Sequence, residues 1–280
     1  MVVAVVTDST ATLTDHDLQG LDVRVVPLQV VVGRTAYDEG VEITSAEVAA
    51  ALRAGTPSST SRPSPQLFLD AYTAAAEAGA DSVVSLHISA ALSGTYESAV
   101  LAARDSPVPT EVVDSRSMGM GLGYLVLQAA RSAADGQDAA TIAAASRERA
   151  RTSRAFFFVA TLEHLRRGGR IRPTAAFVGS ALAIKPLLVL DDGIISPLEK
   201  VRTSSRALAR LADLAAAQIG PGPAEVAVHH LDALERAQAL ADGLAARLPD
   251  LGPIEVRDAG AVIGTHVGPG MVAVVVVPGP

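Results

Sequence analysis

Apolar positions along this chain alternate between continuous β-branched runs and stretches spaced three or four apart. Residues 2–6 form an unbroken Val/Ala run that ends at Thr7-Asp8-Ser9, the pattern of a strand buried on both faces. Residues 23–32 form a second extended stretch. Thr44-Ser45-Ala46-Glu47 is a capping box and opens a helix that ends near Gly55. Residues 66–77 repeat at helical spacing and stop before Gly79. A strand over 82–86 follows, then a helix over 97–104 with Ser93 as its N-cap. A strand over 111–113 ends at Asp114-Ser115, and helices are expected over 122–134 and 139–151. Strands alternating with helices predict a parallel sheet covered on both faces.

The character changes after Arg151. Phe156-Phe157-Phe158-Val159 reads as a compact apolar strand, and residues 162–167 as a short helix closed by Gly168-Gly169. Asp191-Asp192-Gly193 lies between apolar segments at 187–190 and 194–195, a hairpin signal. A helix over 206–219, a strand over 225–229, a helix over 233–247 and strands over 254–257 and 272–277 complete the pattern. The expected architecture is α/β: an N-terminal parallel-sheet α/β domain over residues 1–152 and a C-terminal α+β domain over residues 153–280.

Composition narrows the partners. Of 280 residues 49% are hydrophobic, enough for a large core. Aromatics make up 3% and Trp is absent, so stacking on nucleic-acid bases is not expected. A net charge of −7 also argues against a nucleic-acid partner. The absence of Cys excludes disulfides, thiolate catalysis and Cys-ligated zinc. The first residues lack a basic region before the apolar run, so no signal peptide is expected. No apolar stretch approaches the ~20 residues that span a bilayer. A soluble, cytoplasmic protein is expected.

Motifs for familiar chemistry are missing. There is no Walker loop and no Gly-x-Ser-x-Gly elbow. Gly119-Met120-Gly121-Leu122-Gly123 has the wrong spacing for a dinucleotide fingerprint and reads as close helix packing. The six His are scattered, without an i,i+4 pair or a carboxylate cluster, so neither a metal nor a cofactor is expected. Two hydroxyl clusters stand out instead, Thr60-Ser61-Arg62-Pro63-Ser64-Pro65 and Ser93-Gly94-Thr95-Tyr96. Each sits at a bend leading into a helix, where neutral donors and free amides can cradle a small anion. Asp8-Ser9, Ser93 and Asp114-Ser115 fall where strands end, the place where open α/β sheets bind ligands. Arg202, and His266 within Gly264-Thr265-His266-Val267-Gly268-Pro269-Gly270, are the notable basic positions of the second half. Alone they read as a solvated Arg and a turn His; the surrounding glycines favour a close backbone approach at His266. Two other readings are a serine hydrolase (esterase) using Ser93 and His266 with Asp8 or Asp114, and a sugar- or phosphate-binding regulatory domain.

Taken together and in order, these segments resemble the DegV family. The resemblance runs through Val3-Ala4-Val5-Val6-Thr7-Asp8-Ser9, the two hydroxyl clusters and Asp114-Ser115. It continues in Leu162-Glu163-His164-Leu165-Arg166-Arg167-Gly168-Gly169-Arg170-Ile171, Lys185-Pro186-Leu187-Leu188 and His266-Val267-Gly268-Pro269-Gly270, and so covers essentially the whole chain. It implies a two-domain protein that binds one long-chain fatty acid between its domains and is not itself a catalyst. Similar proteins act as the binding subunit of bacterial fatty acid kinase in phospholipid metabolism. They present the acid to a separate ATP-binding kinase subunit, which makes the acyl phosphate. By this resemblance Thr60 and Ser93 match the carboxylate-binding positions, with Ser61 and Gly94 beside them. Arg202 and His266 match basic positions near the phosphate or the partner face. Arg62 stands where the family often has Gln and adds a charge beside the carboxylate. The implied partners are the fatty acid, the kinase subunit and a transient contact with the membrane surface.

Overall fold

The computed structural model describes residues 1–171, 185–220 and 222–279. The chain opens with β1 (Val3–Asp8), a 3₁₀ turn at Ser9–Ala11, β2 (Val23–Val26), β3 (Gln29–Val32) and β4 (Thr35–Asp38). Helix α1 (Ser45–Arg53) starts on the expected capping box: the Glu47 amide donates to Thr44 Oγ1 at 3.3 Å, and the Thr44 amide donates to the Glu47 carboxylate at 2.8 Å. Then come β5 (Ser58–Ser61), α2 (Pro65–Glu77), β6 (Ser82–His87), α3 (Thr95–Ala103), β7 (Thr110–Asp114), α4 (Met120–Ala134) and α5 (Ala139–Thr152). The second half holds β8 (Arg154–Phe158), α6 (Glu163–Arg167), β9 (Lys185–Asp191), β10 (Ile194–Val201), α7 (Ser204–Ile219) and β11 (Ala224–His230). It ends with α8 (Leu234–Arg247), β12 (Glu255–Asp258), α9 (Ala261–Val267) and β13 (Val272–Pro278).

Three sheets form. The first is parallel throughout, in the order β2-β1-β6-β7. The second, mixed, runs β10-β9-β8-β13-β11-β12, and β11–β12 is its parallel pair. The third is a small antiparallel sheet, β4-β3-β5. The stretch over 23–32, expected as one extended unit, is therefore divided between two sheets. Pro27 marks the break, because it has no N–H to donate to a ladder. Among the described residues no helix is long and apolar enough to cross a membrane.

Alternation along β1 and β6 places the layers. Ala4, Val6 and Val83 face α2 and α3 and pack on Phe68, Tyr72 and Ala99. Val3, Val5, Val84 and Leu86 face α4 and α5. The mixed sheet covers the opposite side of α4 and α5 with Phe157, Ala273, Val275 and Val277, and turns Phe156, Phe158, Val274 and Val276 toward α7 and α8. The α4/α5 layer is thus shared by both sheets. From Met120 to Leu127 helix α4 is apolar on all sides and buried all round; only its last turns carry polar side chains to the surface. Its glycines mark the closest approaches: a Cβ on Gly123 would lie 2.8 Å from the Ala11 carbonyl oxygen.

This geometry reverses the usual effect of a helical Gly→Ala change, which gains ~1 kcal/mol where the helix is free. At Gly123 the obstacle is backbone and cannot rotate away, so Gly123→Ala is expected to cost ~1–3 kcal/mol. Thermal unfolding should show a fall of several degrees in Tm; an equal or higher Tm would mean that α4 shifts freely between the sheets.

Candidate functional site

The chain leaves β1 for β2 on one side of the parallel sheet and later returns to β6 on the other. The carboxyl ends of β1 and β6 therefore form a topological switch point, where such sheets open a crevice. A buried polar chain locks this point. The Ile88 amide donates to Asp8 Oδ2 at 2.9 Å and the Thr10 amide to Asp8 Oδ1 at 3.1 Å. His87 Nδ1 lies 3.0 Å from the same carboxylate, so that nitrogen carries the proton. Its Nε2 then accepts from Ser85 Oγ at 2.7 Å, and Ser85 accepts from the Tyr72 hydroxyl at 2.9 Å. This is a Ser–His–Asp array in outline, but Ser85, His87 and Asp8 are each 0% exposed. Its role is to fix the turn that begins at Ile88.

That turn delivers Ser93. The Ser93 amide bonds back to the Ser89 carbonyl at 3.1 Å, and Ser89 Oγ donates to the Gly193 carbonyl of the β9–β10 hairpin at 2.8 Å. Ser93 is not the N-cap expected from the sequence. Helix α3 starts at Thr95, and Gly94 occupies the cap position, its carbonyl taking the first helical bond from the Ser98 amide. Ser93 Oγ instead meets Thr95 Oγ1 at 2.8 Å. Its hydroxyl is therefore not engaged with the α3 amides.

Ser93 lines a cavity of about 330 Å³ whose walls come from both halves of the chain and from the small sheet. One end is polar: Thr60, Ser61, Arg62, Ser93, Gly94, Arg170 and His266. Ser61 and Arg62 are exposed, so this end faces solvent. The remainder is apolar, with Leu28, Ile88, Leu92, Leu165, Val262 and Ile263 among its buried lining residues. Past Met118, Ile263 and Val267 a further apolar space of about 30 Å³ reaches between the start of α4 and Phe157, Met271 and Ala273 of the mixed-sheet half.

Five of the six residues singled out in the sequence meet at the polar end: Thr60, Ser61, Ser93, Gly94 and His266. Thr60 Oγ1 and His266 Nε2 are 2.8 Å apart, although 206 positions separate them in the chain. His266 is not in a turn but in the last turn of α9; the turn glycines Gly268 and Gly270, with φ of 75° and 89°, come after it. Nor is it a cation. Burial, followed by the nearby Arg170 and His164, pushes its pKa down to about 4, so it stands as a neutral imidazole. Arg202 is exposed at the bend between β10 and α7 and is not a cavity residue.

Two arginines reach the polar end. Arg62 lies across Gly94, with Nη1 at 3.5 Å from its carbonyl oxygen. Arg170, which sequence reasoning did not single out, is half-buried. Its Nε donates to the Leu92 carbonyl at 2.9 Å and its Nη1 to the Gly168 carbonyl. Burial presses its pKa down, and it makes no ion pair among the described residues. In the sequence it lies within a basic run, Arg166-Arg167-Gly168-Gly169-Arg170-Ile171-Arg172, that looks like a solvated helix end.

The arrangement suits an anionic head on an apolar body better than it suits hydrolysis. His266 touches Thr60 rather than Ser93, and among the described residues no carboxylate orients its ring. Asp8 is engaged by His87, and Asp114 accepts from the Ala90 and Arg116 amides at 3.1 and 2.8 Å. The proposed Ser93–His266–Asp array is therefore not assembled. Among the described residues no three His, Asp or Glu side chains gather as metal ligands would.

Known proteins share this architecture along its whole length. A DegV domain-containing protein of Streptomyces coelicolor is 51% identical over 274 residues, covering 98% of each chain. The structure of a fatty acid-binding DegV family protein from Thermus thermophilus is 35% identical and superposes with a TM-score of 0.94, covering 99% of this chain and 100% of that one. A stearic acid-binding protein from Eubacterium ventriosum is 26% identical, with a TM-score of 0.87 and coverage of 99% and 98%. The sequence model of the DegV family matches residues 2–279, and with these likenesses it follows that the chain belongs to the DegV family.

Proposed function

We propose that this protein binds one long-chain fatty acid, tail inward, and presents its carboxylate to a separate ATP-dependent kinase subunit that converts it to the acyl phosphate. The observation that carries the reading is an apolar cavity whose solvent-facing end gathers three hydroxyls and a neutral imidazole. The Thermus and Eubacterium relatives, which bind fatty acids, support it.

The division of labour follows from the chemistry. Each buried methylene contributes ~0.8 kcal/mol, so a long tail supplies ~10 kcal/mol gross before ordering costs. The head then needs orientation more than affinity. Thr60, Ser61 and Ser93 donate to the carboxylate, His266 Nε2–H donates to Thr60 Oγ1 and so turns the Thr60 proton toward it, and Gly94 lets it approach the backbone. Neutral donors leave an oxygen free to attack the terminal phosphorus of ATP, with ADP as the leaving group. Arg62 and Arg170 sit where negative charge accumulates as the phosphoryl group arrives. Arg202, exposed and outside the cavity, belongs to the surface that docks the kinase subunit.

Ser93→Ala should weaken fatty acid binding about tenfold or more, since a hydrogen bond to a charged group is worth ~1.5–3 kcal/mol. Thr60→Val should act in the same direction, and the two should be non-additive because they share one carboxylate. Fluorescent fatty acid displacement, with folding confirmed by circular dichroism, measures both. Unchanged affinity in the single variants, or strict additivity in the double, would count against a common head-group site.

A bound carboxylate favours the protonated form of a neighbouring imidazole. The His266 ring resonances of the free protein should titrate with a midpoint near pH 4, and a long-chain fatty acid should move that midpoint upward. A midpoint that stays put on saturation would place the carboxylate elsewhere.

Arg202→Ala should leave fatty acid affinity intact and raise the apparent KM of the kinase subunit for the loaded carrier. A fall in kcat at unchanged KM would instead put Arg202 at the reacting atoms.

A further inference from the structure

Helix α9 supplies Val262, Ile263, His266 and Val267 to the cavity wall, yet it is only seven residues long and has no side-chain N-cap of its own. A helix this short does not hold itself together in water. Its N-cap is Gly260, with φ of 80° and no side chain. The capping group comes from 223 positions away. The Val262 amide donates to Glu39 Oε1 at 2.7 Å, and Glu39 Oε2 accepts from Ser9 Oγ at 2.5 Å. Glu39 is 6% exposed. A Cβ on Gly260 would stand 2.7 Å from Glu39 Oε1, so the backbone itself comes up to the carboxylate.

The same carboxylate ties three parts of the molecule to one point. Ser9 follows β1 at the switch point, and its Oγ also accepts from the Leu28 amide at 3.0 Å. Glu39 leaves β4 of the small sheet, with its amide on the Leu28 carbonyl at 2.9 Å. Val262 opens α9. Burial pushes the Glu39 carboxyl above the ordinary range, and Asp8 adds to this, against the pull of Ser9 and of the Val262 and Ala261 amides. A Ser or Thr at the cap position would have closed α9 locally and without a buried acid. The far end of α9 is bound to the same small sheet through His266 and Thr60. Val262 and His266 are four residues apart and so share one helix face.

We infer that Glu39 is a positioning residue for the head-group site: by capping α9 from the small sheet it sets the rotation and depth of the helix, and thereby the place of His266 beside Thr60 and Ser93. This rests on the fatty acid reading, because His266 matters as a donor only if a carboxylate is held there.

The test compares a long-chain fatty acid with the fatty alcohol of equal length, using the full chain freed of lipid. The alcohol shares the tail and lacks the carboxylate, so the affinity ratio reports the head-group site alone. Glu39→Ala should lower acid affinity about tenfold and leave alcohol affinity within about twofold, and it should add little to His266→Ala. Glu39→Gln keeps an acceptor for the Val262 amide and should restore most of the acid preference. Ser9→Ala, which removes the other tether without touching the cap, gives a second route if Glu39→Ala does not fold, and should reduce the same ratio. Equal losses for acid and alcohol, or full additivity with His266→Ala, would overturn the positioning role while leaving the fatty acid reading standing. An unmutated chain with no preference for acid over alcohol would overturn both.

Discussion

Helix α4 is buried on every side from Met120 to Leu127, because two sheets pack against it, and this shared burial organises the molecule. The parallel sheet and the mixed sheet each need an apolar layer on that side, and the α4/α5 pair serves both. The halves therefore cannot part without exposing the largest cluster of the core. The cavity opens just beyond the start of α4, where Met118 and Gly119 precede the helix and the layer ends. It is a seam walled by β5, α9, the turn after β6 and the β9–β10 hairpin. A ligand of mostly apolar surface completes the seam with the same physics that closes the core.

The polar end follows a different economy. Its hydroxyls and imidazole are neutral, and the arginines stand at its rim or are occupied by carbonyl oxygens. Such an end offers an anion donors without a tight ion pair, which suits the proposed presentation of a carboxylate nucleophile. Each donor is placed by structure some distance from it: Ser93 by the Asp8–His87 lock, and His266 by α9 with its remote cap.

Much of this was legible in the sequence where the signals are local. The β-branched run of β1, the capping box at Thr44, the Asp192-Gly193 hairpin turn and the helical spacing of α4, α5 and α7 all depend on residues within a turn or two of each other. The hydroxyl clusters could be found because such groups seldom gather at bends without a use. What could not be read depends on contacts across the chain. Pro27 divides an apolar stretch between two sheets only because β5 is available to pair with β3. Ser93 looked like a cap because the residue that displaced it, Gly94, has no side chain to announce itself. His266 looked like a turn residue because α9 lacks local helix signals and takes its cap from Glu39. Arg170 was hidden in a basic run, and Arg202, which resembled its equal, lies outside the cavity.

The central claim is that the cavity holds a long-chain fatty acid inside the folded chain. Native mass spectrometry of the protein isolated from bacterial cells tests it most directly. The account predicts an excess mass of one long-chain fatty acid per chain, lost on denaturation and identifiable in the organic extract. A bare chain that takes up no added long-chain fatty acid, or one that carries a small polar ligand in its place, would contradict it.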